Sequence, residues 1–415
     1  MARGDRDHEE LNMADPAPFV IDPTGRDIRG EADRIRELGL AARVELPGGV
    51  RAWAVSGQEP LRRLLTDDRV SKDAFLHWPA WIKGEISPEW PLFAWVAVRN
   101  MLTAYGPDHR RLRGLVSSAF TVRRTAALRP RIEAIAAELL AGLPGGTVVD
   151  LRERYAYPLP IRVICELFGV RDEGSREEIR RCVDAFFQTG KAGVDTADAF
   201  PRLQGILREL VAEKRERPGD DLSSALIAVR DDDSRLSEDE LVDTLVLFLS
   251  AGHETTVNLL DNAIYALLTH PGQLALVREG RVTWEAVIEE TLRNQAPIAN
   301  LPLRFAVEDI DLGDGLTLRA GDPILACYGA AGRDPQVHGR DADRFDLTRA
   351  VKEHMAFGYG VHRCLGAPLA RLEAAIALPA LFRRDPVLAA EPGGLLPLES
   401  FISNGHRSLP AVLSP

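Results

Sequence analysis

The sequence predicts one large, mainly α-helical domain with a smaller antiparallel β region and a single long helix through its core. Three observations lead there. Residues 107–295 carry an almost unbroken helical pattern, strand-like alternation is confined to two stretches nearer the chain ends, and no linker-like segment divides them. The β region is therefore expected to draw on both ends of the chain around a helical middle.

Residues 1–19 are expected to form a flexible N-terminal segment, leaving 20–415 as the domain. ARVELPGGVRAWAVSG reads as two strands around Pro47-Gly48-Gly49, between helices near residues 30–39 and 59–66. The helical middle breaks at Pro144-Gly145-Gly146, Gly190 and Pro218-Gly219. Its longest helix should run from Glu238 to about Thr269, because Ser237 with Glu240 is a capping-box signature and His270-Pro271 closes the pattern. At ~1.5 Å per residue that helix would be about 50 Å long. Its middle, LVLFLSAGHETTVNLL, is apolar on both sides of a polar island, as expected of a helix crossing the core. Beyond residue 303, AVEDIDLGDGLTLRAGDPILAC alternates and turns on Gly313, Gly315 and Gly321, and LESFISNGHRSLPAVL has a similar look.

Composition narrows the function. The net charge of −11 argues against a nucleic-acid binder, which would carry a basic excess. The charged N-terminus has no signal-like stretch, and apolar runs such as Leu245–Leu249 are too short to span a bilayer. A soluble, cytoplasmic protein without a membrane partner is expected.

Four widely spaced cysteines, Cys165, Cys182, Cys327 and Cys364, form no C-x-x-C pair, so no disulfide framework or zinc cluster is indicated. Cys165 and Cys327 lie in apolar runs and read as core. Cys364 differs. In FGYGVHRCLGAPLARLEAAI, residues 357–376, Gly358 and Gly360 permit a tight turn and close approach to a flat ligand. Cys364 follows, just before a helix opened by Pro368, where free N–H groups and the helix dipole favour thiolate over thiol. A thiolate is the axial ligand that promotes O–O cleavage at haem iron.

Phe357-Gly358-x-Gly360-x-His362-x-Cys364-x-Gly366, followed by Leu369-Ala370-Arg371, resembles the haem-binding signature of the cytochrome P450 family. Upstream, Ala251-Gly252-His253-Glu254-Thr255-Thr256 looks like the family's oxygen-activation motif, and Glu290-Thr291-Leu292-Arg293 looks like its E-x-x-R. The likeness runs from about residue 20 to the C-terminus. It implies a P450-type domain whose long helix crosses over haem b, with Cys364 as axial iron ligand.

The same resemblance assigns further roles. Glu254 and Thr255 become the catalytic pair that relays protons to dioxygen, the physical need being protonation before the O–O bond breaks. Ala251, Phe357, Gly358 and Gly366 border the haem, while His109, Arg113, Arg304 and His362 reach its propionates. Glu290 and Arg293, with Arg349, form a structural group behind the haem. The family often shows Asn before the Arg333-Asp334-Pro335 run, where this chain has Gly332. Trp90 and Phe93 in the tryptophan-rich stretch after His77, together with Leu247, Ala251, Ile298, Asn300, Leu301 and Ile402, are substrate candidates, although aromatic residues also serve as core.

Residues 109–132 hold seven arginines and no acid. By resemblance this island lies near Cys364, where a ferredoxin docks, and a solvated helix face would account equally well for it. The implied enzyme is a monomeric monooxygenase drawing electrons from NAD(P)H through ferredoxin reductase and ferredoxin. Its substrate would be a sizeable non-polar steroid, macrolide or other polyketide-like molecule of secondary metabolism, hydroxylated or epoxidised with dioxygen. Two alternatives stay open: a haem-thiolate sensor without turnover, and a haem-thiolate catalyst of coupling, isomerisation or peroxide-driven oxidation. An intact Glu254-Thr255 pair speaks for dioxygen chemistry.

Overall fold

The computed structural model describes residues 17–170, 172–187, 194–229, 235–313, 315–391 and 393–415. Most of the expected flexible segment and the expected break at Gly190 lie outside them; Phe19 already pairs in a strand. No described helix is long and apolar enough to cross a membrane.

The fold is mainly helical, with one six-stranded sheet and two smaller ones. The larger sheet runs Phe19–Val20, Ala42–Leu46, Val50–Val55, Pro323–Ala326, Leu301–Ala306 and Val70–Ser71, joining strands from both halves of the chain. Ala42–Leu46 and Val50–Val55 pair antiparallel across the Pro47-Gly48-Gly49 turn. The sheet is nevertheless mixed, since Phe19–Val20 pairs parallel with Ala42–Leu46 and Val50–Val55 pairs parallel with Pro323–Ala326. Both parallel pairs join strands separated by helices, which is what parallel connections require. In the C-terminal region only Pro410–Val412 is a strand, between Val148–Asp150 and Val387–Leu388.

The long helix spans Glu238–Thr269, its capping box formed by Ser237 and Glu240. It crosses the main core, with Val242, Leu245, Leu249, Leu260 and Ile264 all fully buried. Pro158–Phe168, Ala367–Phe382 and Trp284–Asn294 pack around it.

Glu290 and Arg293, on Trp284–Asn294, are completely buried and joined by two hydrogen bonds, 2.8 and 2.7 Å long. The guanidinium also donates to the carbonyls of Gly332, Ala342 and Arg344, at 2.9, 2.7 and 2.8 Å. Glu290 accepts from the Asp346 amide, and Arg349 approaches it to 3.9 Å while bonding the carbonyls of His338 and Asp341. One ion pair thus collects the loop 332–349 that leads towards Cys364. Gly332 belongs to this arrangement: a Cβ there would lie 2.2 Å from the Arg293 carbonyl oxygen.

Arg293→Ala would leave Glu290 buried without its counter-charge, so denaturant unfolding should show a loss of about 3–5 kcal/mol. A loss below about 1 kcal/mol would mean that water replaces the guanidinium freely.

Candidate active site

An apolar cavity lies between the middle of the long helix and the loop carrying Cys364. It leaves about 260 Å³ for the centres of water-sized molecules. Ala251, Gly252 and Thr255 line one wall, and Phe357, Gly358, His362, Cys364 and Gly366 line the other.

The cysteine loop is shaped by glycine. Gly358 and Gly360 have φ of +65° and +68°, and a Cβ on Gly360 would lie 2.1 Å from the Leu65 carbonyl oxygen. The Cys364 amide donates to the Phe357 carbonyl at 2.8 Å, closing the loop. The helix Ala367–Phe382 starts immediately afterwards, aiming the Gly366 and Ala367 amides at the sulfur. Burial still pushes the thiol up, against those amides and Arg113. Cys165 and Cys327 are buried and pushed up to about 12 by burial, as inert core thiols are.

At the cavity's edge, basic groups converge. The His109 and His362 rings lie 4.2 Å apart, and Arg113 donates to the Arg363 carbonyl at 2.7 Å. Arg304 donates to the Tyr328 hydroxyl at 2.9 Å, while Lys72 is buried and bonds the Leu303 carbonyl at 3.3 Å. Burial and Arg304 hold Lys72 well below the ordinary lysine range. Burial, then Lys72, His109, Arg304 and Arg113 together, holds His362 down to about 2. No carboxylate pairs with any of the five among the described residues, and His109 Nε2 and Arg304 Nη1 are buried without a partner. Such a set fits an anionic group with several acceptor oxygens. With a cysteine on the cavity wall, a glycine-shaped loop and a small-residue helix opposite, these residues fit haem with its two propionates.

The expected catalytic pair is split. Thr255 faces the cavity and donates its hydroxyl to the Ala251 carbonyl at 2.6 Å, leaving its lone pairs to accept. Glu254 points to the other side of the helix and pairs with Arg152 at 3.2 Å. Burial pushes its carboxyl up to about 7, against the pull of Arg152.

Among the substrate candidates, Leu247, Ala251, Ile298 and Leu301 line the cavity. Trp90, Phe93, Asn300 and Ile402 do not. Trp90 packs against Trp78 and donates to the Pro47 carbonyl at 2.7 Å, and Phe93 packs against Trp81 beside the larger sheet. Asn300 bonds the Phe401 carbonyl, and Ile402 is fully buried among the apolar residues packed on the larger sheet. The aromatic stretch mostly serves the sheet, and it is Trp95, stacked edge-on against Phe187 at 5.3 Å, that reaches the cavity.

The arginine island is largely neutralised by acids from elsewhere. Arg111 pairs with Glu240, Arg124 with Asp220, Arg129 with Glu133 and Arg131 with Glu166, while Arg113 turns towards Cys364.

Sequence reasoning missed Lys72 and Glu373. Glu373 lines the cavity from Ala367–Phe382, buried and pushed well above the carboxylate range, with one oxygen unpartnered. It is the lone acid of an apolar helix, a signal the sequence does carry; Lys72, beside Asp73, gives none.

The fold and the fit of the site to haem define the class of a haem-binding protein, and the comparisons give its family. The sequence model of the cytochrome P450 family matches residues 170–280 and 282–389. The chain is 44% identical over 404 residues to the 2-hydroxy-5-methyl-1-naphthoate 7-hydroxylase of Streptomyces carzinostaticus, covering 95% of this chain and 97% of that protein. Among solved structures it is similar to CYP154A1 from Streptomyces coelicolor A3(2), at 54% identity, TM-score 0.89 and coverage of 95% and 100%. Testosterone-bound CYP154C4 from Streptomyces sp. ATCC 11861 gives 43%, TM-score 0.91 and coverage of 96% and 98%. The chain belongs to the cytochrome P450 family and is an oxidoreductase of its monooxygenase class.

The raised Glu254 carboxyl has a consequence for stability. The folded protein keeps this proton to higher pH than the unfolded chain does, so stability falls as pH rises from 4.5 towards about 7. Glu254→Gln should remove that fall, a difference on the order of 3 kcal/mol between about pH 4 and pH 8. Urea unfolding at both pH values measures it, and identical pH slopes in parent and variant would show that folding does not shift the Glu254 carboxyl.

Proposed function

We propose that the chain binds haem b through Cys364 and oxidises a sizeable, non-polar organic substrate with dioxygen. The observation that carries this reading is the pairing of the Cys364 sulfur and Thr255 across one apolar cavity. Haem, when bound, supplies reduction of dioxygen and transfer of one oxygen atom. The residues of this chain do the rest. Lys72, His109, Arg113, Arg304 and His362 hold the propionates. Trp95, Leu247, Ile298 and Leu301 exclude water and seat the substrate by apolar contact. Thr255 accepts a hydrogen bond at Oγ1 while its own hydrogen is committed to the Ala251 carbonyl, and Glu254, the proton carrier, reaches the site by releasing Arg152.

Relatives that hydroxylate a naphthoate or bind testosterone support a flat or polycyclic substrate, steroid or polyketide-like, and hence a role in secondary metabolism. The expected site is cytoplasmic, with the protein working as a monomer. Electrons from NAD(P)H arrive through ferredoxin reductase and ferredoxin. Exposed Tyr359, Val361 and Arg363 beside Cys364, with Arg110 on the neighbouring helix, suit a small acidic partner.

The reduced carbon monoxide complex should show the long-wavelength band of thiolate ligation, lost in Cys364→Ala. Thr255→Ala should keep haem content and substrate binding while hydrogen peroxide replaces product, by up to about 10²–10⁴ in coupled rate. Product per electron pair equal to the parent's would show the assignment of Thr255 to proton delivery to be wrong. A spectral screen of steroids and macrolides identifies the substrate for that assay.

Arg110→Glu should slow reduction by ferredoxin in a salt-dependent way, whereas Arg124→Glu, already paired with Asp220, should not. Stopped-flow reduction rates separate the two, and unchanged rates for Arg110→Glu would move the docking face elsewhere.

A further inference from the structure

The side of the long helix that faces away from the cavity carries a second set of titratable groups. Asp184, His253 and Glu254 each bring one polar side-chain atom within 4.8 Å of the others. His253 and Glu254 are buried, whereas Asp184, on Glu173–Phe187, is half-buried and nearest to solvent. The Tyr157 hydroxyl donates to Asp184, and the Tyr157 ring packs edge-on against His253 at 4.4 Å. His253 Nδ1 is buried without a partner among the described residues.

We propose that Asp184 is the outer carboxyl that reloads Glu254 with protons from solvent, with Tyr157 as its positioning residue. This rests on the reading of Glu254 as the proton carrier of the reaction. With all three atoms within 4.8 Å of one another, a proton can pass from Asp184 to Glu254 directly or over one bridging water. Burial raises both carboxyls, against Tyr157, Arg180 and Arg152 at Asp184, and brings Glu254 up to about 7. Burial drives His253 down to about 3, so it stays neutral and serves the path as a hydrogen-bonding group. The step is a proton transfer alone: one enters at Asp184 and one leaves from Glu254, with no other bond changed.

The geometry separates this route from its rival. His406 bonds Asp261 at 2.9 Å, and Asp261 lies 3.7 Å from Arg152, which contacts Glu254. That chain also joins Glu254 to a less buried group, but every proton on it would have to pass through a guanidinium, which does not give its proton up. The Asp184 route contains no arginine. Arg152, at 3.2 Å from Glu254, likewise disfavours a divalent cation in the cluster.

The test is infrared spectroscopy of the haem-loaded protein after rapid mixing with deuterium oxide. The protonated Glu254 carbonyl band is identified by its loss in Glu254→Gln. Its deuterium shift should slow by roughly tenfold or more in Asp184→Asn, recover in Asp184→Glu, and keep the parent rate in His406→Asn. In turnover, Asp184→Asn should lower product formation and electron consumption together and raise the solvent isotope effect, without added peroxide. An unchanged band shift in Asp184→Asn overturns the proposal, as does slowing in His406→Asn alone. If instead Thr255→Ala stays fully coupled, the functional reading fails, whatever the exchange rates show.

Discussion

A buried helix of 32 residues that is not wholly apolar imposes a demand on everything around it. Asp243, Glu254, Asn258, Asp261 and Asn262 are all buried on Glu238–Thr269, and each must find partners in another segment. Asp243 takes Gln204, and its carbonyl takes Asn100. Glu254 and Asn258 share Arg152, Asp261 takes His406, and Asn262 reaches the carbonyls of Gln295 and Asn404. The polar residues of one helix thereby register most of the segments that surround the cavity. Its small residues, Ala251 and Gly252, are left to face the open space.

What was legible in the sequence is what local chemistry dictates. The capping box at Ser237, the glycine-shaped turn before Cys364 and the i, i+3 pairing of Glu290 with Arg293 all act within a few residues, and all appear as read. Gly332, which departs from the family's pattern, proved to be required by the Arg293 backbone. What was not legible depends on distant chain. Whether Trp90 or Trp95 faces the cavity is decided by how the aromatic stretch meets the strand Leu301–Ala306, over two hundred residues away. Lys72 is buried only because Val70–Ser71 pairs with that strand. The arginine island looked unopposed because its counter-charges come from elsewhere in the chain, Glu240 and Glu166 from other helices and Asp220 from a loop.

The two faces of the long helix divide the electrostatic work. Towards the cavity it offers the hydroxyl residues Ser250, Thr255 and Thr256 and no charge, so a bound non-polar molecule meets no ionic group on this wall. Away from the cavity it keeps an acid against a guanidinium, where the charge is balanced and the proton retained. Separating the two avoids a permanent charge beside the substrate, which would otherwise hold water in the site.

The five bases at the cavity's edge have a bearing on the life of the protein in a cell. Without an anion, burial and the neighbouring bases disfavour the charged forms of Lys72, His109, Arg113 and His362, and the strands and loops that carry them are held together at a cost. A ligand that binds only the folded state stabilises it by mass action. The haem-free chain should accordingly open first near Lys72 and Arg304 and be cleared by proteases, so that enzyme abundance follows haem supply as well as transcription.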